Sequence, residues 1–459
     1  MKTQKKNVLL ITADSFRFDG LGSASGKGLT PALDQLTGQS FFFQHAYSSG
    51  PNTPHAFPAI MSAENALVNR RLSLHDAPLT LAEAFQRSGW HTVGFNAANP
   101  YLSKHFAYQR GFGHFEDFVH LQFNANQQNG LAANPNAMIA LPDLKLEQYL
   151  VNEETMREKS ALEAHFLSHI LSEMSGFDDR PFFLWTHFMD THYPYVPTTA
   201  AQRESGENVI SSEESFNLNF AVRENSALSA AALAKVKSLY NACVLQLDTK
   251  IAGLLSFFQQ RNLLDDMLVV FCADHGEEFM EHGDLLHKSK LFDELIHVPL
   301  LIKLPGQRNC AVTNELAGLI QLAPTICNAV GVDHEFRPDG LSMNDSGSRG
   351  SNVFSAASIG PDGGVPVDGN MGRIDRMPKV YSLIGENRKI LVDTRIESPV
   401  SFDLISDTFE KTQIPVAGND EMMMKLDEHI VKLEEQRIRK SAFSHALEWT
   451  GKRGFAHAV

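Results

Sequence analysis

The chain has 459 residues, with 40 Lys and Arg against 54 Asp and Glu, a formal net charge of −14, and 43% hydrophobic and 20% charged residues. This is an ordinary globular composition, with length for roughly three domains or for one large α/β unit plus an appendage. The acidic balance, without any long Lys/Arg run, argues against nucleic acid as the partner. Cys243, Cys272, Cys310 and Cys327 show no C-x-x-C spacing, so neither a disulfide framework nor a zinc ribbon is expected.

The N-terminus begins with basic residues like a signal peptide, but its apolar run, Val8 to Ala13, is too short for an h-region and stops at Asp14. It reads as a strand. No apolar run reaches the length of about 18 residues that a membrane-spanning helix needs, so none is expected and the cytoplasm is the default compartment. Strands are expected at 7–13, 92–96, 182–188, 267–273 and 298–304, separated by helical patterns. That alternation predicts an α/β fold, a mostly parallel sheet covered by helices. Helix starts are marked by Thr30-Pro31 and by Thr80 with Glu83 as a capping box, and 229–260 carries a long helical period.

Residues 122–136 are rich in Asn, Gln, Ala and Gly and read as a long loop or lid, while 202–224 shows no chemistry of its own. A linker at 344–352 suggests a catalytic unit over 1–345. A small antiparallel subdomain is expected over 346–419, built around a hairpin of 379–384 and 389–392. The tail, 420–459, contains a charged helix with Met423, Leu426, Ile430 and Leu433 at helical spacing. Docking on its own body is the simpler reading of that stripe; a homo-oligomer contact is the sharper one.

Polar residues gather just after the expected strands: Asp14, then Asn96 and Asn99, then Asp190 and His192, then Asp274 and His275. Ligand sites of open α/β sheets lie beyond the carboxyl ends of the strands, so these segments converge. Asp274 and His275 at the end of a buried strand supply the carboxylate and imidazole that a divalent ion such as Zn²⁺ or Mn²⁺ takes. Gly276 suits a tight turn beside them, and Glu277, Glu278 and Glu281 read as a solvated charged face. Thr53-Pro54 has the form of an N-cap followed by N1 Pro. A hydroxyl at such a helix start beside a metal is also placed to act as a nucleophile.

The segments NVLLITADSFRFDGLG, TPALDQL, TPHAFPAIMSA, GWHTVGFNAANPYLS, HFMDTHYPY, LVVFCADHGEEF and FDELIHVPLLIK occur in the order that they have in the sulfatase family of the alkaline phosphatase-like superfamily. The chain resembles that family from Asn7 to about Val332. The resemblance implies an α/β/α sandwich that hydrolyses or transfers phosphate or sulfate esters at a metal ion. It implies Asp14, Asp274 and His275 as metal ligands and Thr53 as nucleophile. His192 and His287 would bind ester oxygens or protonate the leaving group.

Several positions depart from the family pattern. Thr53 stands where the family has the Cys or Ser that becomes formylglycine, and Phe57 stands at the arginine of that motif. The paired aspartates read Asp14-Ser15, His275 replaces a common Asn, and a Lys and a His become Ala97 and Asn99. Formylglycine cannot form, and the ligand changes move metal preference from Ca²⁺ toward Mn²⁺ or Zn²⁺. These features resemble the phosphodiesterase, phosphonate-ester hydrolase and phosphoglycerol-type transferase branches, so a phosphoester is favoured. The ester could be a small molecule, a lipid head-group or a saccharide. Asn99, Asp190 and Lys288 are expected on the substrate side, with Asp190 and His192 also able to ligate a second ion. A sulfatase working without formylglycine and an inactive binding protein are the alternatives.

Overall fold

The computed structural model describes residues 5–69, 72–119, 153–177, 180–206, 208–224, 227–336, 352–360, 363, 377–396 and 398–453. Their strands are β1 (Val8–Ala13), β2 (Phe41–Tyr47), β3 (His91–Asn96), β4 (His114–Glu116), β5 (Phe182–Phe188), β6 (Leu268–Ala273), β7 (Glu278–Phe279), β8 (Leu285–Leu286), β9 (Leu300–Lys303), β10 (Ala311–Gly318), β11 (Val353–Ser358), β12 (Lys379–Ile384), β13 (Arg388–Asp393), β14 (Val400–Asp403) and β15 (Ile414–Pro415). All five strands expected from the sequence are present. β2, β4 and β10 were not anticipated, because their exposed or short runs lack a strong period: β2 has exposed Phe41 and Gln44 among buried pairs without regular alternation, and β4 has three residues.

The main sheet has the order β10-β2-β9-β6-β1-β5-β3-β4. It is parallel except at β9, which runs antiparallel to both β2 and β6. β1 is central and every residue of it is buried, which explains its unbroken apolar sequence VLLITA. Its register carries the function. Ala13 pairs with Ala273 of β6 and with Phe188 of β5, so the next residues, Asp14 and Asp274, emerge side by side. Thr12 pairs with His187, and His187 pairs with Asn96 of β3. Strand pairing alone therefore brings five polar residues to one sheet edge.

The helices follow their sequence signals. Thr80 and Glu83 form both bonds of the capping box, at 3.1 Å and 2.8 Å. The Ala230–Gln260 helix buries Tyr240, Val244, Leu247 and Ile251 against the core. The expected start at Thr53 is displaced by one residue: the helix is Thr53–Ser62, its N-cap is Asn52, and no side chain caps it.

A second, antiparallel sheet has the order β11-β12-β13-β14-β15, and β12 and β13 form the expected hairpin. It is joined to the rest by two apolar clusters, one of which unites Ala66, Leu67 and Leu72 with Tyr381, Leu383 and Ile390. Lys389, with no exposed side chain, is ion-paired at 2.7 Å to both Asp293 and Glu410. The Glu421–Arg453 helix buries Leu426 and Leu433 in the same cluster, and Lys440 pairs with Glu64 at 2.7 Å. The simpler reading of the tail, docking on its own body, matches these contacts. The expected loop at 122–136 and the division placed at 345 lie outside the described residues. No helix among the described residues is long and apolar enough to cross a membrane.

All four cysteines are free, three of them buried and Cys310 exposed. Burial pushes the thiols of Cys243, Cys272 and Cys327 up from their ordinary range. Titration of the native protein with a thiol reagent is expected to find one fast group, and four after denaturation. More than one fast thiol in the native protein would contradict this packing.

Candidate active site

Asp14 and Asp274 are fully buried. Asp14 Oδ2 accepts from Asn99 Nδ2 at 2.7 Å and from the Thr53 hydroxyl at 3.2 Å, while Oδ1 accepts from the Ser15 hydroxyl at 2.9 Å. Asn99 Nδ2 also donates to Thr53 Oγ1 at 3.2 Å, so its two hydrogens are divided between the carboxylate and the hydroxyl. Thr53 is buried, and its oxygen lies 3.4 Å from His275 Nε2. Its hydroxyl faces Asp14 instead of closing the helix start, so the capping role is not what fixes Thr53 here.

The imidazoles follow from proton bookkeeping. His275 Nδ1 lies 2.8 Å from the Gly276 carbonyl, which can only accept, so Nδ1 carries the proton and Nε2 a lone pair. Burial, and then the charge of His287, lower His275 to a pKa of about 4 and keep it neutral. Its Nε2 lies 3.5 Å from Asp14 Oδ1 and 3.6 Å from Asp274 Oδ2. His187 Nε2 lies 3.2 Å from Asp14 Oδ2, and its Nδ1 is 2.9 Å from the Thr12 hydroxyl. Thr12 Oγ1 also receives the Trp185 indole at 3.0 Å and reaches the Thr186 carbonyl at 3.4 Å. With the Thr12 proton on that carbonyl, His187 Nδ1 donates to Thr12 and Nε2 is left as an acceptor facing the carboxylates.

Acceptors thus converge with few donors among them. Asp274 Oδ2 is buried and makes no hydrogen bond among the described residues. One ligand atom from each of Asp14, His187 and Asp274 lies within 4.8 Å of the others. Two carboxylates and two imidazole lone pairs fit a borderline divalent cation, whose charge offsets the cost of burying both acids. The electrostatics agree. Burial works against the Asp14 carboxylate, but the imidazoles of His192, His187 and His275 around it, which attract it in their protonated forms, bring its pKa well below the usual carboxylate range. For Asp274, burial and the neighbouring Asp14 charge push the pKa well above that range.

His287 supplies the opposite charge. Its ring centroid is 4.6 Å from that of His275 and 5.1 Å from that of His192, and its Nδ1 is 2.9 Å from Glu277 Oε1. Burial disfavours the imidazolium, but Glu277 outweighs burial and lifts the pKa to about 9. The other Glu277 oxygen accepts the Tyr195 hydroxyl at 2.8 Å. His192 is kept neutral, mainly by burial, at a pKa of about 3, and its Nδ1 donates to the Tyr193 carbonyl.

The structure therefore gathers Asp14, Thr53, Asn99, His192, Asp274, His275 and His287. It ties Asp190 elsewhere: its Oδ1 accepts from Lys250 and, at 3.0 Å, from Gln246. Lys288 pairs with Asp284 at 2.5 Å. Glu277 and Glu278 correct the reading of a solvated face, since both are fully buried and pair with His287 and Lys290. His187 was missed because it lies within β5 and not after it. The available signal was a histidine inside the otherwise apolar FFLWTHF. Gly276 is needed for close approach: a Cβ there would sit 2.0 Å from the Glu294 carbonyl. Ser15, with φ 57°, and Ala98, with φ 64°, are left-handed beside Asp14 and Asn99, strain of the kind that collects at functional sites. Phe57, at the position of the family arginine, meets the His187 ring edge-on at 5.0 Å and packs on Tyr108 and Trp185.

A buried carboxylate and imidazole centre at the carboxyl edge of a mostly parallel sheet, facing a hydroxyl at a helix start, has the form of a metal-type hydrolase site. The sulfatase family model matches residues 6–332, and the chain belongs to the sulfatase family, hydrolases that act on esters. It is 22% identical over 393 residues to the multifunctional alkaline phosphatase superfamily protein PehA of Trinickia caryophylli, covering 74% of this chain and 76% of that protein. An arylsulfatase of Clostridium perfringens is 20% identical over 384 residues, 74% of this chain and 78% of the relative. The crystal structure of the phosphonate monoester hydrolase of Agrobacterium radiobacter superposes with a TM-score of 0.66 at 20% identity, over 95% of this chain and 96% of that one.

Replacing Asp274 by Ala removes one buried carboxylate of the cluster. Elemental analysis of Asp274→Ala is expected to find one divalent ion per chain fewer than in wild type. Equal metal content in the two proteins would exclude this cluster as the metal centre.

Proposed function

We propose that this protein hydrolyses a singly charged phosphoester, a phosphodiester or phosphonate monoester, with unmodified Thr53 as the nucleophile. The observation that supports this reading best is the Thr53 hydroxyl, buried, free of any capping duty and shared between Asp14 and Asn99. Asp14, Asp274, His187 and His275 would hold a divalent ion, which would supply positive charge beside the Thr53 oxygen and favour its ionised form. Mn²⁺ or Zn²⁺ suits this mixed donor set better than Ca²⁺.

The chain's own residues do the rest. Thr53 Oγ1 attacks phosphorus in line as the bond to the leaving oxygen breaks. The Asn99 amide steadies charge on the attacking oxygen, and the His287 imidazolium gives its proton to the leaving group. Water then attacks the same phosphorus, giving a proton back to the neutral His287, and the bond to Thr53 Oγ1 breaks to restore the ionised hydroxyl. Thr53 has one hydroxyl on its β-carbon, so the adduct is released by attack at its central atom. Phosphorus supports that second displacement.

Charge favours the monoanion. The motif's arginine position is Phe57 and its lysine position Ala97, both buried, which leaves His287 as the cation of the cluster. The names of two relatives point the same way, an alkaline phosphatase superfamily protein and a phosphonate monoester hydrolase. An arylsulfatase is about as similar, and a sulfate ester carries the same single charge, so sulfate hydrolysis without formylglycine is the second reading.

Turnover of an activated phosphodiester, a phosphonate monoester and an aryl sulfate tests this. Thr53→Ala is expected to lose turnover by at least about a thousandfold, since the nucleophile itself is gone, and Thr53→Ser to keep measurable activity. Near-wild-type turnover by Thr53→Ala would remove the mechanism, and faster turnover of the sulfate would reverse the substrate choice.

His287 carries the proton below about pH 9, so kcat/KM is expected to fall as pH rises through about 9. Glu277→Gln removes the charge that raises this pKa. It should move the alkaline limb to lower pH by about one unit or more. A limb that stays in place would separate Glu277 from the acid.

A further inference from the structure

At the far edge of the main sheet, His114 and Glu116 occupy alternate positions of β4 and so share one face. Across from them, His169 and Glu173 lie four residues apart on one face of the Glu153–Ser175 helix. Glu116 stands between the two histidines. His114 Nε2 is 3.0 Å from its Oε1, and His169 Nε2 is 2.8 Å from its Oε2. Ligand atoms from His114, Glu116 and Glu173 lie within 4.8 Å of one another.

These contacts are close but are not hydrogen bonds. The Nε2 atoms of His114 and His169 are both buried and make no hydrogen bond among the described residues. In an N–H···O bond the oxygen lies along the N–H direction. The Glu116 oxygens do not meet that requirement, and a nitrogen lone pair and a carboxylate can instead share one third atom between them. Ligand bonds of about 2.0–2.1 Å in a tetrahedron put neighbouring donor atoms about 3.3 Å apart, near the spacing found. The rings are also held in place: Phe95 lies 5.6 Å from His114 and 6.0 Å from His169, and Phe118 meets His169 edge-on at 5.2 Å.

We propose that His114, Glu116 and Glu173, with His169 closing on Glu116 from the helix, form a second divalent-cation site, of the Zn²⁺ class, separate from the Asp14–Asp274 centre. Two imidazoles and two carboxylates are a donor set for a borderline ion, and hard Ca²⁺ would decline the nitrogens. The site closes a gap between the edge strand and the helix. That helix carries Lys159, which donates to the carbonyls of His192 and, at 2.8 Å, Pro194. An ion there fastens the element that orients the His192 turn. Its role is structural.

The test is Zn²⁺ titration of the chelator-stripped full chain by calorimetry, with thermal melting beside it. Wild type is expected to bind two ions and to melt higher with Zn²⁺. His169→Ala should bind one ion and lose most of the gain in melting temperature. Asp274→Asn should also bind one, but keep that gain. If His169→Ala does not fold, Glu116→Gln, which preserves shape, should weaken one of the two events by at least about tenfold. Wild-type stoichiometry and affinity in the folded variant would overturn the proposal, and so would a single Zn²⁺ in wild type that Asp274→Asn abolishes.

Discussion

Two carboxylates buried side by side are the constraint around which this molecule is arranged. Asp14 and Asp274 are brought together by the register of β1 and β6, and neither can move apart without breaking the centre of the sheet. Burying one charge is costly, and burying two like charges more so. The neighbours answer that cost: Asn99 and Ser15 donate to Asp14, the backbones of Ser15 and His275 donate to Asp274, and the lone pairs of His187 and His275 face inward. A divalent cation would complete such a set, and the proposed mechanism uses that same charge to make the threonine hydroxyl reactive.

Around this centre the histidines divide into neutral and charged. His275 and His192 are neutral because burial disfavours their charged forms, and each directs its Nδ1 proton to a backbone carbonyl. His287 is charged because a carboxylate, Glu277, is held against it, and Tyr195 in turn orients Glu277. One strand loop therefore provides both a ligand-type imidazole and an acid-type imidazole. Farther out, buried Lys159, Glu163 and Asp190 act as a scaffold with half-buried Lys250. Lys159 pairs with Glu163 at 3.4 Å, while Lys250 neutralises Asp190.

Much of this was legible in the sequence. Asp14, Asp274 and His275 stood out because each follows an apolar run that could only be a buried strand, Asn99 because it too follows an expected strand, and Thr53 because it stands at an expected helix start. What was not legible depended on side-chain direction and pairing. Asp190 follows a strand as Asp14 does, yet it turns to a lysine on a helix sixty positions away. Lys288 meets Asp284 at i,i+4 spacing, a local pairing that the wider motif concealed. His187 was hidden inside its strand, although the pairing of β5 beside β1 brings it level with Thr12, two positions short of Asp14. Glu277 looked like surface because acids usually are. Its burial reflects the partner it serves.

The central claim is that Thr53 carries the phosphoryl group between two displacements. The most direct measurement is intact mass, followed by peptide mapping, after rapid acid quench of the wild-type protein turning over an activated phosphodiester. The expected result is a transient adduct of the mass of the esterified phosphoryl group, located on Thr53 and absent before substrate is added. Turnover with no adduct on Thr53 at any time, together with single-step inversion at a chiral phosphorus, would contradict it.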